Sequence, residues 1–269
     1  MDKSRVLIIT QEIDPYTGLS EIAQIVHDLL MFANNKDIEL RVLMPRYGTI
    51  NERRHRLHEV VRLSGMNIVV NDDDYPLIIK VTSLPGSRIQ VYFLDNEDFF
   101  KRKSVFQDSE GKSFEDNHDR MLFFCKGALE IVKKFGWSPD IVHCHGWFTS
   151  MTPLLLKTVY KNDPLFQNAK VIYSMYNNSM EAELQQDFLQ TTIINNVQAE
   201  DALPYMQGGV LSLDTGAAFY ADGIIVGSKL EDVAVMKQIK QLNKPILDNV
   251  GTEGDYLQAY TDFYTTLLA

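Results

Sequence analysis

The run Val6-Leu7-Ile8-Ile9-Thr10, a polar loop holding Pro15 and Gly18, and then Ile22, Ile25, Val26, Leu29 and Leu30 at helical spacing decide the fold. The apolar run predicts a strand, and recurrence at three and four residues predicts an amphipathic helix. Leu40-Arg41-Val42-Leu43-Met44 predicts a second strand, stopped by Pro45, so the chain opens with a βαβ unit. Such a unit implies a parallel pair joined by a right-handed crossover.

Working outward, Asn67 to Val70, Leu77 to Thr82 and Ile89 to Leu94 predict hairpin-linked strands. They are separated by Asn71-Asp72-Asp73-Asp74, expected as a solvated turn, and by Pro85-Gly86. Leu122, Phe123, Ala128, Leu129, Ile131 and Val132 predict a helix over Asp119 to Phe135, ended by Gly136. A short buried strand follows at Asp140 to His145, then a helix at Thr152 to Tyr160 and strands at Lys170 to Met175 and Ala221 to Gly227. The polar stretch Asn177 to Gly208, with Glu181, Glu183, Gln185, Gln186 and Asp187, is expected as surface helix and loop. Leu230 to Ile239 predicts a helix and Pro245 to Gly254 a connector. Tyr256, Leu257, Tyr260, Phe263, Tyr264, Leu267 and Leu268 then give an amphipathic closing helix over 255–268. The whole predicts an α/β chain: one domain over 1–269 with a doubly wound, mostly parallel Rossmann-like sheet and an inserted β-hairpin region.

Composition narrows the function. With 269 residues, 45% hydrophobic and 23% charged, the chain is an ordinary globular protein. No stretch approaches the roughly 18 apolar residues that span a bilayer, which predicts no membrane partner. Met1-Asp2-Lys3-Ser4-Arg5 runs directly into the first strand without a secretory signal, so a cytoplasmic location is expected. Cys125 and Cys144, both in apolar surroundings, are expected as reduced thiols. A formal net charge of −10 argues against nucleic acid as a partner. Arg53, Arg54, His55 and Arg56, close after Arg46, form the one basic run, read as a solvated face or as a phosphate or carboxylate site.

Several stretches carry a resemblance. They are Leu43-Met44-Pro45-Arg46-Tyr47; Val91-Tyr92-Phe93-Leu94-Asp95-Asn96 with Phe99-Phe100; and Asp116-Asn117 before a Phe-rich helix. Gly136-Trp137-Ser138-Pro139-Asp140-Ile141-Val142-His143-Cys144-His145, Pro153-Leu154-Leu155-Leu156-Lys157, and Ala221-Asp222 with Val226-Gly227-Ser228 complete the set. In this order they resemble the N-terminal half of bacterial glycogen synthases and plant starch synthases, glycosyltransferase family 5 of the GT-B fold. The resemblance implies transfer of glucose from a nucleoside-diphosphate glucose to an α-1,4-glucan, with retention and with no metal or other cofactor. It also implies a second, nucleotide-sugar-binding half, which is expected to be absent. The family's final helix crosses back onto its N-terminal domain, so the closing helix is expected in that groove.

Position by position, the resemblance also implies losses. The family's Lys-Thr-Gly-Gly-Leu loop reads Pro15-Tyr16-Thr17-Gly18-Leu19-Ser20-Glu21, without the lysine and with one glycine fewer. A leaving diphosphate needs positive compensation, and removing one preorganised group costs about a hundredfold or more. Gly18 and the helix start read either as a remaining anion contact or as a plain strand-to-helix turn. The family's His-x-His-Asp-Trp reads His143-Cys144-His145-Gly146-Trp147, so its carboxylate is gone. His143 and His145 share one strand face and read as packed histidines, as retained sugar contacts, or as metal ligands, the last running against the family's metal-free use. The family's Thr-Ile-His-Asn reads Ser174-Met175-Tyr176-Asn177, with tyrosine for the sugar-contacting histidine. Trp147 and Tyr176 read either as a platform for glucan or as core.

No catalytic residue is therefore expected, and ligand contact is assigned to Thr17, Gly18, His143, His145, Trp147, Tyr176 and Asn177. The expected protein is an inactive relative that binds α-glucan, nucleotide sugar or a protein partner. The alternatives are an active glucosyltransferase completed by another chain, and a structural or regulatory protein or homo-oligomer assembled through the cleft-facing surface.

Overall fold

The computed structural model describes residues 3–177, 180, 184, 188–194, 197–230, 232–248 and 255–269. β1 (Ser4–Thr10), α1 (Glu21–Ala33) and β2 (Ile38–Pro45) form the opening unit, with β1 and β2 parallel and Val6 in register with Leu40. A one-turn helix α2 (Glu52–His55) leads into β3 (His58–Glu59), β4 (Met66–Val70), β5 (Asp73–Ser83) and β6 (Gln90–Asp95). Then come α3 (Glu97–Phe100), α4 (Asn117–Phe135), β7 (Ile141–His145), α5 (Met151–Lys157) and β8 (Lys170–Met175). The rest comprises α6 (Phe188–Ile194), α7 (Ala199–Ala202), the hairpin β9 (Met206–Gln207) with β10 (Val210–Leu211), α8 (Leu213–Tyr220), β11 (Gly223–Val226), α9 (Val233–Gln241), β12 (Ile246–Leu247) and α10 (Tyr256–Leu268).

The main sheet runs β12-β11-β8-β7-β1-β2-β6-β5-β3, with β4 paired to β5. It is parallel from β12 to β6, and β5 is the reversed strand, pairing antiparallel with β6, β3 and β4. The strand order reverses between β1 and β7, and the carboxyl edge of such a switch point is where ligands of doubly wound sheets bind. Val6 to Ile9, Ile141, Val142 and Ile172 have no exposed surface, as strands covered by helices on both faces require.

Several details depart from the expected elements. Only Asn71 and Asp72, both with positive φ (52° and 64°), make the acidic turn; Asp73 and Asp74 pair with Val70 and Val69 inside β5. A two-residue turn with positive φ matches the twist of the flanking strands, and Asn and Asp tolerate it. Within 177–208, Phe188 and Thr192 are fully buried and Phe188 stacks on His118, so this stretch supplies core as well as surface. Glu181, Glu183, Gln185, Gln186 and Asp187 lie outside the described residues. The connector contains β12, which extends the sheet beyond β11. Gly136 caps α4 with φ 59°, and Cys125 and Cys144 are free, buried thiols. Among the described residues no helix is long and apolar enough to cross a membrane.

α10 packs against α1. Tyr256 donates from its hydroxyl to Asp28, and Lys36 bonds Gln258. Tyr260 and Tyr264 turn inward and are 1% and 3% exposed. Phe263 and Leu267 lie against Gly223, where an added Cβ would come within 2.7 Å of Leu267 Cδ1.

Candidate functional site

The loop after β1 carries a feature that the sequence analysis missed. Glu12 is fully buried. Its Oε2 accepts from the backbone amides of Leu19 (2.5 Å) and Ser20 (2.8 Å), and its Oε1 accepts from Ser20 Oγ (2.7 Å) and Gln11 Nε2 (3.1 Å). Ser20 in turn caps α1 by accepting from the Ile22 amide. A carboxylate at the positive end of a helix is stabilising, and here it uses the amides that an incoming anion would need. Thr17 lies beneath, 7% exposed, with its Oγ1 buried and unpaired, while Gly18 is exposed. The only hint in sequence was a carboxylate directly after a buried strand and eight residues ahead of a helix cap.

The adjoining strand end is equally full. Gly146 has φ 81°, and a Cβ there would sit 2.4 Å from Gln11 Oε1 and 2.9 Å from Ile22 Cδ1. The positive φ therefore strains any side chain at this place, and Gln11 would have to shift to admit the missing carboxylate. His143 and His145 point to the α10 face, have no exposed surface, and lie 3.9 Å apart between ring centroids. Nδ1 of His143 meets the Tyr264 hydroxyl at 2.7 Å and its Nε2 meets Ser174 Oγ at 2.7 Å. Nδ1 of His145 meets the Tyr176 hydroxyl at 2.9 Å, while its Nε2 is buried without a partner. Burial lowers the pKa of both rings, that of His145 to about 3, so both are neutral at physiological pH.

Tyr176 is 3% exposed and lies on Gly227, where a Cβ would be 2.3 Å from its ring. Desolvation raises its phenol pKa well above the ordinary value, and Tyr260 of α10 is a hydrogen-bond neighbour. Trp147 is 2% exposed, packed against Phe106 (4.8 Å between centroids) and Phe148 (5.2 Å). Neither ring presents a face to solvent. Asn177 is exposed, with its backbone amide donating to Ser228 Oγ at 2.9 Å.

The structure therefore brings His143, His145 and Tyr176 into one polar cluster closed by Ser174, Tyr260 and Tyr264. It leaves Gly18 and Asn177 on the rim. Among the described residues no three His, Cys, Asp or Glu side chains converge as metal ligands. The basic run touches the loop through His55, whose ring lies 5.0 Å from that of Tyr16; Arg53, Arg54 and Arg56 are exposed on and after α2, whereas Arg46 is bound to Asp95 (2.9 Å) and Glu52 (3.1 Å). Lys80 completes that network with 2.6 Å to Glu52 and 2.9 Å to Asp95.

Comparison with known proteins places this geometry. The family described as starch synthase catalytic domain matches residues 5–236. A glycogen synthase of Chlorobium limicola is 37% identical over 227 residues, 84% of this chain and 46% of that protein. One from Pelodictyon phaeoclathratiforme is 36% identical over the same coverage. The chain thus spans about half the length of the curated relatives it matches. The catalytic domain of starch synthase IV from Arabidopsis thaliana, solved with ADP and acarbose, superposes with a TM-score of 0.74 at 17% identity, covering 93% of this chain and 52% of that one.

Proposed function

Since the chain belongs to the family of starch synthase catalytic domains, we propose that it is a non-catalytic member that acts in cytoplasmic α-glucan metabolism by binding and not by transferring glucose. The observation that carries this reading is that the family's donor edge is filled from within. Glu12 holds the loop amides, Gly146 sits at a positive φ with the Gln11 side chain against it, and Tyr176 is packed between Gly227 and His145. A retaining transfer needs positive charge aimed at the departing diphosphate. Here the loop instead receives the Glu12 carboxylate, with Asp14 beside Gly18, and negative charge at this place repels a diphosphate.

In this reading His143, His145, Trp147 and Tyr176 hold the edge shut, Thr17 lies buried beneath it, and contact with α-glucan or a protein partner falls to the rim around Gly18 and Asn177. Sedimentation with glycogen and calorimetric titration with ADP-glucose test it. Retention on glycogen with no saturable heat from ADP-glucose supports it. Tight ADP-glucose binding abolished by a rim substitution such as Asn177→Ala sinks it. A second reading, transfer completed by another chain, requires Glu12 and Tyr176 to withdraw when the other chain docks.

A further inference from the structure

On the opposite face and towards the amino ends of the strands lies a cavity of about 310 Å³. Arg41 reaches it from β2, Gln90 and Tyr92 from β6, Arg62 from the segment after β3, and Lys134 and Phe135 from the last turn of α4. These cations come from three separate elements, and no carboxylate lines the space. That is unusual in a chain of net charge −10. Other basic groups at cavities sit beside carboxylates: Arg102 binds Asp116 through two bonds of 2.6 and 2.5 Å, Lys112 binds Glu115, and Lys157 binds Asp222.

Arg41 is preorganised. Its guanidinium lies over Phe135 (4.5 Å) and Trp137 (4.7 Å), which leaves its N–H groups directed to the edges of that stack. Burial lowers its pKa, so the charge is held in a partly desolvated place. The neighbouring carboxylate on the strand, Glu39, is taken by the Trp137 indole N–H (2.8 Å) and by Arg5 (3.7 Å). Arg62 is exposed, and neither guanidinium has a hydrogen bond or an ion pair among the described residues. Lys134 is tied to the Leu63 and Ser64 carbonyls at 3.3 Å each, which fixes its charge at the mouth. The Tyr92 hydroxyl donates to Gln90 Oε1 at 2.5 Å, placing a neutral polar pair beside the cations.

We propose that this cavity binds a small phosphomonoester dianion, with Arg41 and Arg62 on the phosphate, Lys134 adding charge, and Gln90 and Tyr92 facing the hydroxyl-bearing remainder. Guanidinium groups match phosphate oxygens in pairs, and the aromatic wall of Phe135 and Tyr92 suits the apolar side of a small polyol. The site is remote from Gly18, Gly146 and Tyr176 and stands whether or not the donor edge is active.

Calorimetric titration of the whole chain with inorganic phosphate, glycerol 3-phosphate and glucose 1-phosphate tests it, with glucose and sodium chloride as controls. Saturable binding of a phosphate compound is expected, weakened by about tenfold or more in Arg62→Gln, an exposed position whose loss leaves the core intact. Arg41→Gln should weaken binding as well, with its fold checked by circular dichroism because Arg41 stacks on two rings. Tighter binding of the organic phosphates assigns a sugar or polyol phosphate; equal affinity for inorganic phosphate assigns the free ion. The absence of saturation up to about 10 mM with every phosphate, or affinity unchanged in both variants, overturns the site.

Discussion

Acidification should destabilise the chain steeply, because three imidazoles are buried in neutral form. His118 and His145 are held at a pKa of about 3 and His143 well below its ordinary value, in each case chiefly by burial. Unfolding returns each ring to water, where its pKa is about 6.5. The unfolded chain therefore binds more protons at intermediate pH, so this stability is complete above about pH 6.5 and is lost as the pH falls towards the folded values. Between pH 7.5 and 5.5 each ring costs about 1.4 kcal/mol, or about 4 kcal/mol for the three. That is a large part of the roughly 5–15 kcal/mol that holds a typical domain together. Asp119, raised by burial, acts in the opposite sense and offsets some of the loss. Urea unfolding followed by tryptophan fluorescence at several pH values measures the effect. A His118→Leu variant should lose about a third of the pH dependence, since His118 sits apart from the His143 and His145 pair and stacks on Phe188. Coincident unfolding midpoints at pH 7.5 and 5.5, or a pH dependence unchanged in His118→Leu, would refute the burial argument.

Three further perturbations follow from the same cluster and loop. Tyr264→Phe removes the hydroxyl on His143 Nδ1 and leaves a buried nitrogen unpaired, costing about 1–3 kcal/mol; hydrogen exchange should quicken along α10, and unchanged protection there contradicts the contact. Glu12→Gln keeps the shape but turns an amide N–H₂ or a weaker acceptor towards the Leu19 and Ser20 amides, with an expected loss of about 2–4 kcal/mol. A urea midpoint equal to that of the parent would mean that Glu12 does not hold the loop. Gly146→Asp, which restores the family's carboxylate on paper, should lower stability by about 2 kcal/mol or more, because its Cβ meets Gln11 at 2.4 Å and its φ is positive; a thermal midpoint at or above that of the parent contradicts the packing.

Much of the fold was legible because apolar periodicity reports burial directly. Val6 to Thr10 and Leu40 to Met44 gave the parallel pair, and Tyr256 to Leu268 gave the closing helix. β12 was not legible: a two-residue strand has no period to detect. The site was read in outline only. Substitutions at the loop, Gly146 and Tyr176 marked positions where the family's groups are missing, yet what stands in their place is tertiary. Glu12 reaches amides seven and eight residues ahead, and Tyr264 reaches His143 across 121 positions. No local pattern records such partners. Likewise Arg41, Arg62 and Lys134 are unremarkable along the chain and become a cluster only when β2, the segment after β3 and α4 meet.

The central claim is that the donor edge is closed from inside and does not turn over sugar. Transfer of labelled glucose from ADP-glucose to glycogen, measured with the purified chain alone and then with the nucleotide-binding half of a homologous synthase added, tests it most directly. Incorporation at the level of a protein-free control is predicted in both mixtures. Time-dependent incorporation in either one, proportional to the amount of this chain, would contradict it.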